Sequence, residues 1–140
     1  MDRNEIFKYV KQQYCTDPEY LWADSPNYAV LRHSGNKKWY AIIMDVSAER
    51  LGLERDGIID IMNVKCPPDM VDVLRQTFGF LPAYHMNKRH WITILLDGSI
   101  PDNQILDYLD WSFDLTDSKP PKKNENQPDE LSSEEGGLES

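Results

Sequence analysis

The sequence predicts an α+β fold, a two-layer domain with a mainly antiparallel sheet and helices packed on one face. Three observations predict it. The patterned segments run in the order helix, three strands, helix, one or two strands, helix. The strand segments are rich in aromatic and β-branched residues, which suit a pleated surface. Short connections join consecutive strands, and short connections favour antiparallel neighbours with helices gathered on one side.

The 140 residues suffice for one domain and an appendage. We predict a domain over residues 1–116 and an acidic, disordered tail over residues 117–140. The tail holds seven acids and three lysines and almost no large apolar residue, so burial cannot offset its ordering entropy. The rest of the chain holds 17 acids and 12 Lys/Arg, which leaves a formal charge of −9 for the whole.

The first half predicts one helix and three strands. Asp2 is placed to cap a helix in which Phe7, Val10 and Tyr14 share one face. The strands are predicted over residues 28–33, 38–46 and 58–66. Residues 34–37, with the sequence Ser-Gly-Asn-Lys, have the composition of a hairpin turn between the first two strands.

The second half predicts two helices with a strand between them. The first of these helices begins at residues 67–69 and is assigned an apolar stripe and a C-terminal glycine, namely Met70, Val73, Leu74, Phe78 and Gly79. Residues 91–96 carry no charge, which predicts a central strand. The last helix spans about 101–114, and Ser99 and Asp102 have capping-box spacing. Its three acids Asp107, Asp110 and Asp114 share a face and are predicted to be solvated.

Several function classes lack support in the sequence. The N-terminus has no apolar core of a signal peptide, and no apolar run is long enough to span a membrane, so we expect a cytoplasmic protein. Cys15 and Cys66 show no ligand spacing and are interpreted as a reduced pair. No nucleophile motif or phosphate loop is present, so we expect neither an enzyme nor a cofactor. His85 and His90 could hold a metal only if a turn joined them, and the neighbouring cations oppose it.

The most specific polar cluster is PAYHMNKRHW, residues 82–91. It interleaves cations, an amide and aromatic rings, which is how a β-ribbon contacts the phosphates and bases of nucleic acid. Basic residues also flank the first hairpin turn. The candidate nucleic-acid- or anion-binding residues are Arg32, Lys65, Tyr84, His85, Asn87, Lys88, Arg89, His90 and Trp91. The structural alternative is that Tyr84, His85 and Trp91 pack a turn under the last helix.

The same ten residues resemble the P-x-x-H-x-N-K-x-H-W hallmark of the MmcQ/YjbR family. Supporting features in matching order are Lys65 with Pro68, the Asp-Gly turn at 97–98, and a helix that ends in Ser-Phe at 112–113. The resemblance covers about residues 1–116. It implies a compact CyaY-like α+β domain, and DNA binding through a double-wing arrangement of hairpins. It implies no catalytic residue.

Two functions therefore remain open. The first is a monomeric DNA-binding module with weak, salt-dependent affinity and about two to four phosphate contacts. The second is a regulator that receives an anionic small ligand or a protein partner at the hallmark. Cations that line a concave pocket would favour the ligand. Cations on one open surface, including Lys37 and Lys38, would favour nucleic acid.

Overall fold

The computed structural model describes residues 1–117, and the predicted disorder from Ser118 onward lies outside the described residues. Within them, three helices and five strands confirm the α+β class. The elements in chain order are α1 (Arg3–Tyr14), β1 (Ala29–Arg32), β2 (Trp39–Ser47), β3 (Ile58–Lys65), α2 (Pro68–Leu74), β4 (Phe80–Pro82), β5 (Trp91–Leu95) and α3 (Asp102–Thr116).

The five strands form one antiparallel sheet in the order β1-β2-β3-β5-β4. The β5 strand therefore lies inside the sheet, as its uncharged run predicts. Because strand directions alternate, residues 32–38, 65–66 and 83–90 meet at one end of the sheet, which we call the hairpin end. Residues 24–27, 45–60 and 96–98 form the opposite end, which we call the far end.

All three helices pack on one face of the sheet, as the sequence predicts. Asp2 caps α1 through a complete capping box with Glu5. Ile6 and Val10 of α1 are buried there. The other helices and the strands add Ala41, Ile43, Met62, Val64, Val71, Leu74, Ile92, Ile94, Ile105 and Leu109. Burial of this apolar surface is the main force that holds the helical layer on the sheet.

Loops cover the opposite face of the sheet and complete a second core. Its buried members from the strands are Val30, Trp39, Ile42, Met44, Val46, Ile61, Trp91 and Leu95. Ala83 and Met86 from the loop 83–90 are buried among them. Trp22, Tyr28, Leu51 and Leu53 from two further loops pack against this cluster. The predicted two layers thus have a third layer of loops, which strand patterning alone does not show.

An irregularity in the pairing of β1 with β2 shapes the hairpin end. Leu31 pairs with Ala41 and Arg32 pairs with Trp39, so one residue of β2 is left over. A residue inserted in this way shifts the side chains beyond it to the other face. Trp39 consequently lies in the loop-side core, whereas Tyr40 and Ala41 both lie in the helix-side core.

Two details of the second half differ from the prediction. The α2 helix ends at Leu74, so the predicted stripe is right for Met70 and Leu74, which pack on the core, and wrong for Val73 and Phe78, which are 58% and 81% exposed. The cause is tertiary, because the chain must turn after Leu74 to enter β4. Gly79 has φ +94° in that turn, and a Cβ there would lie 2.5 Å from Cγ1 of Ile100.

The predicted capping box before α3 is also wrong. Pro101 is the N-cap residue of α3 and makes no side-chain hydrogen bond to the helix. The Ser99 amide instead donates to Asp97 Oδ1 at 3.0 Å, in a local turn.

Both cysteines are free: Cys15 is exposed, Cys66 is buried, and burial raises the pKa of the Cys66 thiol to about 11. Within residues 1–117, no helix combines the length and the apolar character that a membrane crossing requires.

Candidate functional site

The hairpin end gathers positive charge. Its three segments contain six Lys/Arg and no Asp or Glu, namely Arg32, Lys37, Lys38, Lys65, Lys88 and Arg89. The β1–β2 and β4–β5 hairpins flank β3, so Lys65 stands between their loops. Strands about 4.8 Å apart set the mid-lines of the two hairpins roughly 14 Å from each other.

The loop 83–90 is fastened to the sheet by two buried polar side chains. The Tyr84 amide donates to Thr93 Oγ1 and the Tyr84 carbonyl accepts from Asn63 Nδ2, both at 2.9 Å. Thr93 donates in turn to Asn63 Oδ1. Asn63 and Thr93 have no solvent exposure, so the main chain of Tyr84 satisfies polar groups that would otherwise be costly to bury. The sequence analysis did not identify Asn63 or Thr93 as residues that position this loop. The signal that could have indicated them is a single polar residue inside each of two apolar strands.

A turn at Asn87 aims the cations outward. Asn87 Oδ1 accepts from the Arg89 amide at 2.9 Å, and the Asn87 carbonyl accepts from the Trp91 amide at 3.1 Å. The His90 carbonyl accepts from the Cys66 amide at 2.8 Å, which ties the loop to the end of β3. The Asn87 side chain therefore shapes the turn, and Lys88 and Arg89 lie exposed at its tip.

Three residues of the segment 82–91 are buried, and one of them, Trp91, is a hallmark position. Trp91 has no solvent exposure, so its ring cannot be the binding surface that the sequence suggested. Its face lies 5.6 Å from Lys65 Nζ, a cation–π distance. Ala83 and Met86 are buried with it, on the sheet face opposite α3. The structural alternative correctly predicts that Trp91 is packed in the interior. It is wrong about the location, because Trp91 lies on the sheet face opposite α3.

Tyr84 and His85 contact each other. Their ring centroids are 4.0 Å apart, and His85 has a left-handed φ of 60°. The Tyr84 hydroxyl lies 3.5 Å from Nη1 of Arg50 at the far end. Tyr84 therefore extends over the sheet, away from the exposed tip of its loop. One contact of its ring is with the ring of His85 in the same loop.

Arg32 differs from the other cations because an acid is bound to it. Glu19 accepts from Arg32 Nη2 at 2.7 Å and from Nε at 3.0 Å, a bidentate pair. This hydrogen-bonded guanidinium lowers the pKa of Glu19. Arg32 thus brings less uncompensated charge to the hairpin end than the exposed Lys37 beside it.

The loop 33–38 is fastened to the helical layer. His33 is buried, with Nε2 2.8 Å from Thr116 Oγ1 and its ring 4.1 Å from that of Phe113. Asn36 Nδ2 donates to the Thr116 carbonyl at 2.9 Å. Burial lowers the pKa of His33, and Asp117 opposes the shift from 3.8 Å.

A cleft of about 610 Å³ lies beside this first loop, where α1 and α3 end. Its lining has both signs of charge and includes Asp17, Glu19, Arg32, Lys37 and Asp117, but none of residues 83–90. Among residues 1–117, no three His, Cys, Asp or Glu side chains are grouped so that they could hold a metal ion.

The far end of the sheet has the opposite charge. It carries seven acids and two arginines, the acids being Asp24, Asp45, Glu49, Glu54, Asp56, Asp60 and Asp97. Asp45 and Asp60 are direct cross-strand partners, and Arg3 binds Asp60 at 2.8 Å. The net acidity of the chain therefore leaves the hairpin end locally basic, because screening at physiological salt confines each charge to about 8 Å.

The acidic face of α3 is only partly solvated. Asp110 accepts from the hydroxyls of Tyr9 at 2.8 Å and Tyr14 at 2.5 Å. Burial and this carboxylate raise the pKa of Tyr9 to about 12. Asp107 and Asp114 are exposed, as predicted.

Comparison with known proteins identifies the family of the chain. The family model YjbR matches residues 11–115. The uncharacterized protein YyaQ of Bacillus subtilis is 51% identical over 116 residues, 83% of this chain and 98% of YyaQ. The uncharacterized protein YjbR of Escherichia coli K12 is 42% identical over 53 residues, 37% of this chain and 45% of that protein.

Solved structures of similar proteins have the same fold as this chain. A crystal structure of a Pseudomonas syringae protein superimposes with a TM-score of 0.81 at 44% identity, and the match covers 84% of this chain and all of that one. None of these names states an activity, so similarity establishes the family and the fold.

Proposed function

The chain belongs to the YjbR family, and we propose that it binds DNA, with the two hairpin loops of the hairpin end contacting the phosphate backbone. The observation that carries the proposal is the grouping of six cations on three segments at one end of the sheet that contain no acid of their own, although Glu19 is bound to one of the six, Arg32. Cationic side chains on neighbouring hairpins bind phosphates irrespective of sequence, and counterion release drives such binding.

The spacing of the loops supports the same function. Hairpins roughly 14 Å apart compare with a DNA major groove about 12 Å wide, so the loops could contact the phosphates on either side of it. The double wing that the hallmark resemblance implies would use two such loops, and their spacing supports this part of the proposal. The acidic far end would repel the duplex, which favours approach by the hairpin end alone.

An anionic small ligand at the hallmark has less support. Lys88 and Arg89 lie exposed at the tip of a turn, and the cleft of about 610 Å³ is lined by neither of them. Cations on an open surface are the arrangement that favours an extended polyanion over a small enclosed anion.

The test is fluorescence anisotropy of labelled duplex and single-stranded DNA across a salt series. We expect saturable binding whose log K falls with log salt at a slope of about −2 to −4, because each contacted phosphate contributes about −0.9 in duplex DNA. Lys88→Gln with Arg89→Gln should weaken binding about tenfold at low salt and reduce the slope by about 2.

The matched control is Arg55→Gln with Arg75→Gln, which removes the same charge from exposed arginines outside the hairpin end. This pair should leave the slope unchanged. Absence of binding by the parent at low salt, or equal losses from the two pairs, would overturn the proposal.

A further inference from the structure

The chain leaves the described structure beside the basic surface. Helix α3 ends at Thr116, whose carbonyl and hydroxyl contact Asn36 and His33 of the first hairpin loop at 2.9 and 2.8 Å. Asp117, next in the chain, lies 3.8 Å from His33. The segment that begins at Ser118 is therefore tethered at the hairpin end and far from the acidic end of the sheet.

This C-terminal segment is opposite in charge to the surface where it starts. Residues 118–140 contain six acids and three lysines, and every lysine precedes every acid. The acids are Glu125, Asp129, Glu130, Glu134, Glu135 and Glu139. The segment thus begins with a short basic stretch and continues as a polyanion.

The tether is long enough for the acids to reach the cations. Glu125 is seven residues beyond Ser118, and an extended chain covers about 3.3 Å per residue, or about 23 Å. The two hairpins are only about 14 Å apart. Glu125, Asp129 and Glu130 can therefore lie over Lys65, between the loops, or over Lys88 and Arg89.

The comparison with the relative YyaQ indicates that the domain does not need this segment to fold. Its match spans 116 residues, 83% of this chain and 98% of YyaQ, and the family model ends at residue 115 of this chain, so the shared length corresponds to the described domain. A domain of this family therefore exists without such a segment, and changing its charges should leave the described domain intact.

We infer that the acidic part of residues 118–140 docks in cis on the hairpin end and competes there with nucleic acid. The docking requires only the surface described above; the competition rests on the proposed function. Attachment through a short tether gives an effective concentration in the millimolar range, so weak ion pairs suffice for substantial occupancy at low salt. The contact should fade as salt rises, because exposed charges are screened.

The first test observes docking without DNA. Backbone amide NMR spectra of the full chain are compared with those of a full-length variant in which the six tail acids become Gln or Asn. At about 20 mM salt, we expect shift differences at Lys37, Lys38, Lys65, Lys88 and Arg89, and none at Arg50 or Arg55. At about 300 mM salt the differences should vanish. Differences confined to residues next to Asp117, or none, would overturn the inference.

A second variant changes the charge of the segment in the opposite direction. Replacing Lys119, Lys122 and Lys123 with Gln makes the segment more anionic and should enlarge the same shifts. If it abolishes them instead, the basic stretch carries the contact and the inference is wrong.

The second test is competition. At low salt, neutralising the six acids should tighten DNA binding about three- to tenfold, and the gain should disappear at high salt. If no form binds DNA while the NMR differences are present, the proposed function fails and the docking stands. If DNA binds equally well to both forms and the NMR differences are absent, the docking fails and the proposed function stands.

Discussion

The two hairpin loops at the basic end of the sheet look alike in sequence and are supported in opposite ways. Each carries two adjacent cations and no acid. The loop 33–38 is fastened to the helical layer through His33 and Asn36, which contact the last residue of α3. The loop 83–90 is fastened to the other face of the sheet through Asn63 and Thr93.

One charged surface is therefore supported by two separate cores. Damage to one core should loosen one loop and spare the other. The chemistry of the fastening also differs, because the first loop depends on a titratable ring and the second on two groups that do not ionise. Substitutions at each attachment should therefore affect the two loops separately.

The largest loss of stability is expected from a substitution of Trp91, which is buried against residues of the loop 83–90. Trp91→Ala should lower the free energy of unfolding by about 3–5 kcal/mol, because it empties a fully buried site between Lys65 and Met86. Phe113→Ala, beneath the first loop, should cost less, since Phe113 is only half-buried. Urea unfolding measures both.

A conservative variant sharpens this prediction. Trp91→Phe should cost clearly less than Trp91→Ala, because it retains an aromatic ring and removes an indole N–H that has no partner among the described residues. Equal decreases in the free energy of unfolding for Trp91→Ala and Phe113→Ala would contradict the prediction that the residue beneath the second loop is the more deeply buried of the two.

A smaller effect is expected from the polar fastening of the second loop. Thr93→Val keeps the shape but leaves Asn63 Oδ1 and the Tyr84 amide without their partner, which should cost about 1–3 kcal/mol. Hydrogen exchange should accelerate at the amides of residues 84–90 and stay unchanged at residues 33–38. Thr116→Val is the mirror control and should accelerate exchange in the first loop only. Matched acceleration in both loops by either variant would show that they are coupled.

The smallest effect is a pH dependence confined to the first loop. Burial lowers the pKa of His33 below its ordinary 6.5, against the attraction of Asp117 and Asp114 and with the repulsion of Lys38. The unfolded chain therefore takes up the proton first, so the stability from neutral His33 is complete above pH 6.5 and is lost as the pH falls through the folded-state pKa. His33→Gln should flatten this part of the profile in urea unfolding between pH 7.5 and 5. An unchanged profile would count against His33 as its source.

Local pattern in the sequence was enough to predict the three helices and four of the five strands, but it assigned no strand to Phe80–Pro82. The turn composition at 34–37 predicted the first hairpin, and the uncharged run after His90 predicted an interior strand, now seen as Trp91–Leu95. Strand alternation and turn chemistry depend on neighbouring residues, so the sequence alone indicates them. The cationic composition of residues 82–91 and the family were accessible for the same reason.

Long-range contacts decided the rest. The exposure of Val73 and Phe78 follows from where the chain must turn to reach β4, and periodicity cannot show it. The capture of Asp110 by Tyr9 and Tyr14 joins helices about a hundred residues apart. Likewise, the hallmark divides into a buried part at Met86 and an exposed part at residues 87–89.

That division depends on Asn63 and Thr93, which approach Tyr84 only when β3 and β5 pair in register. A residue's type and its near neighbours determine its preference for strand, turn or helix. Which face a loop covers, and which of its side chains remain in water, depends on partners that only the folded chain brings within hydrogen-bonding distance.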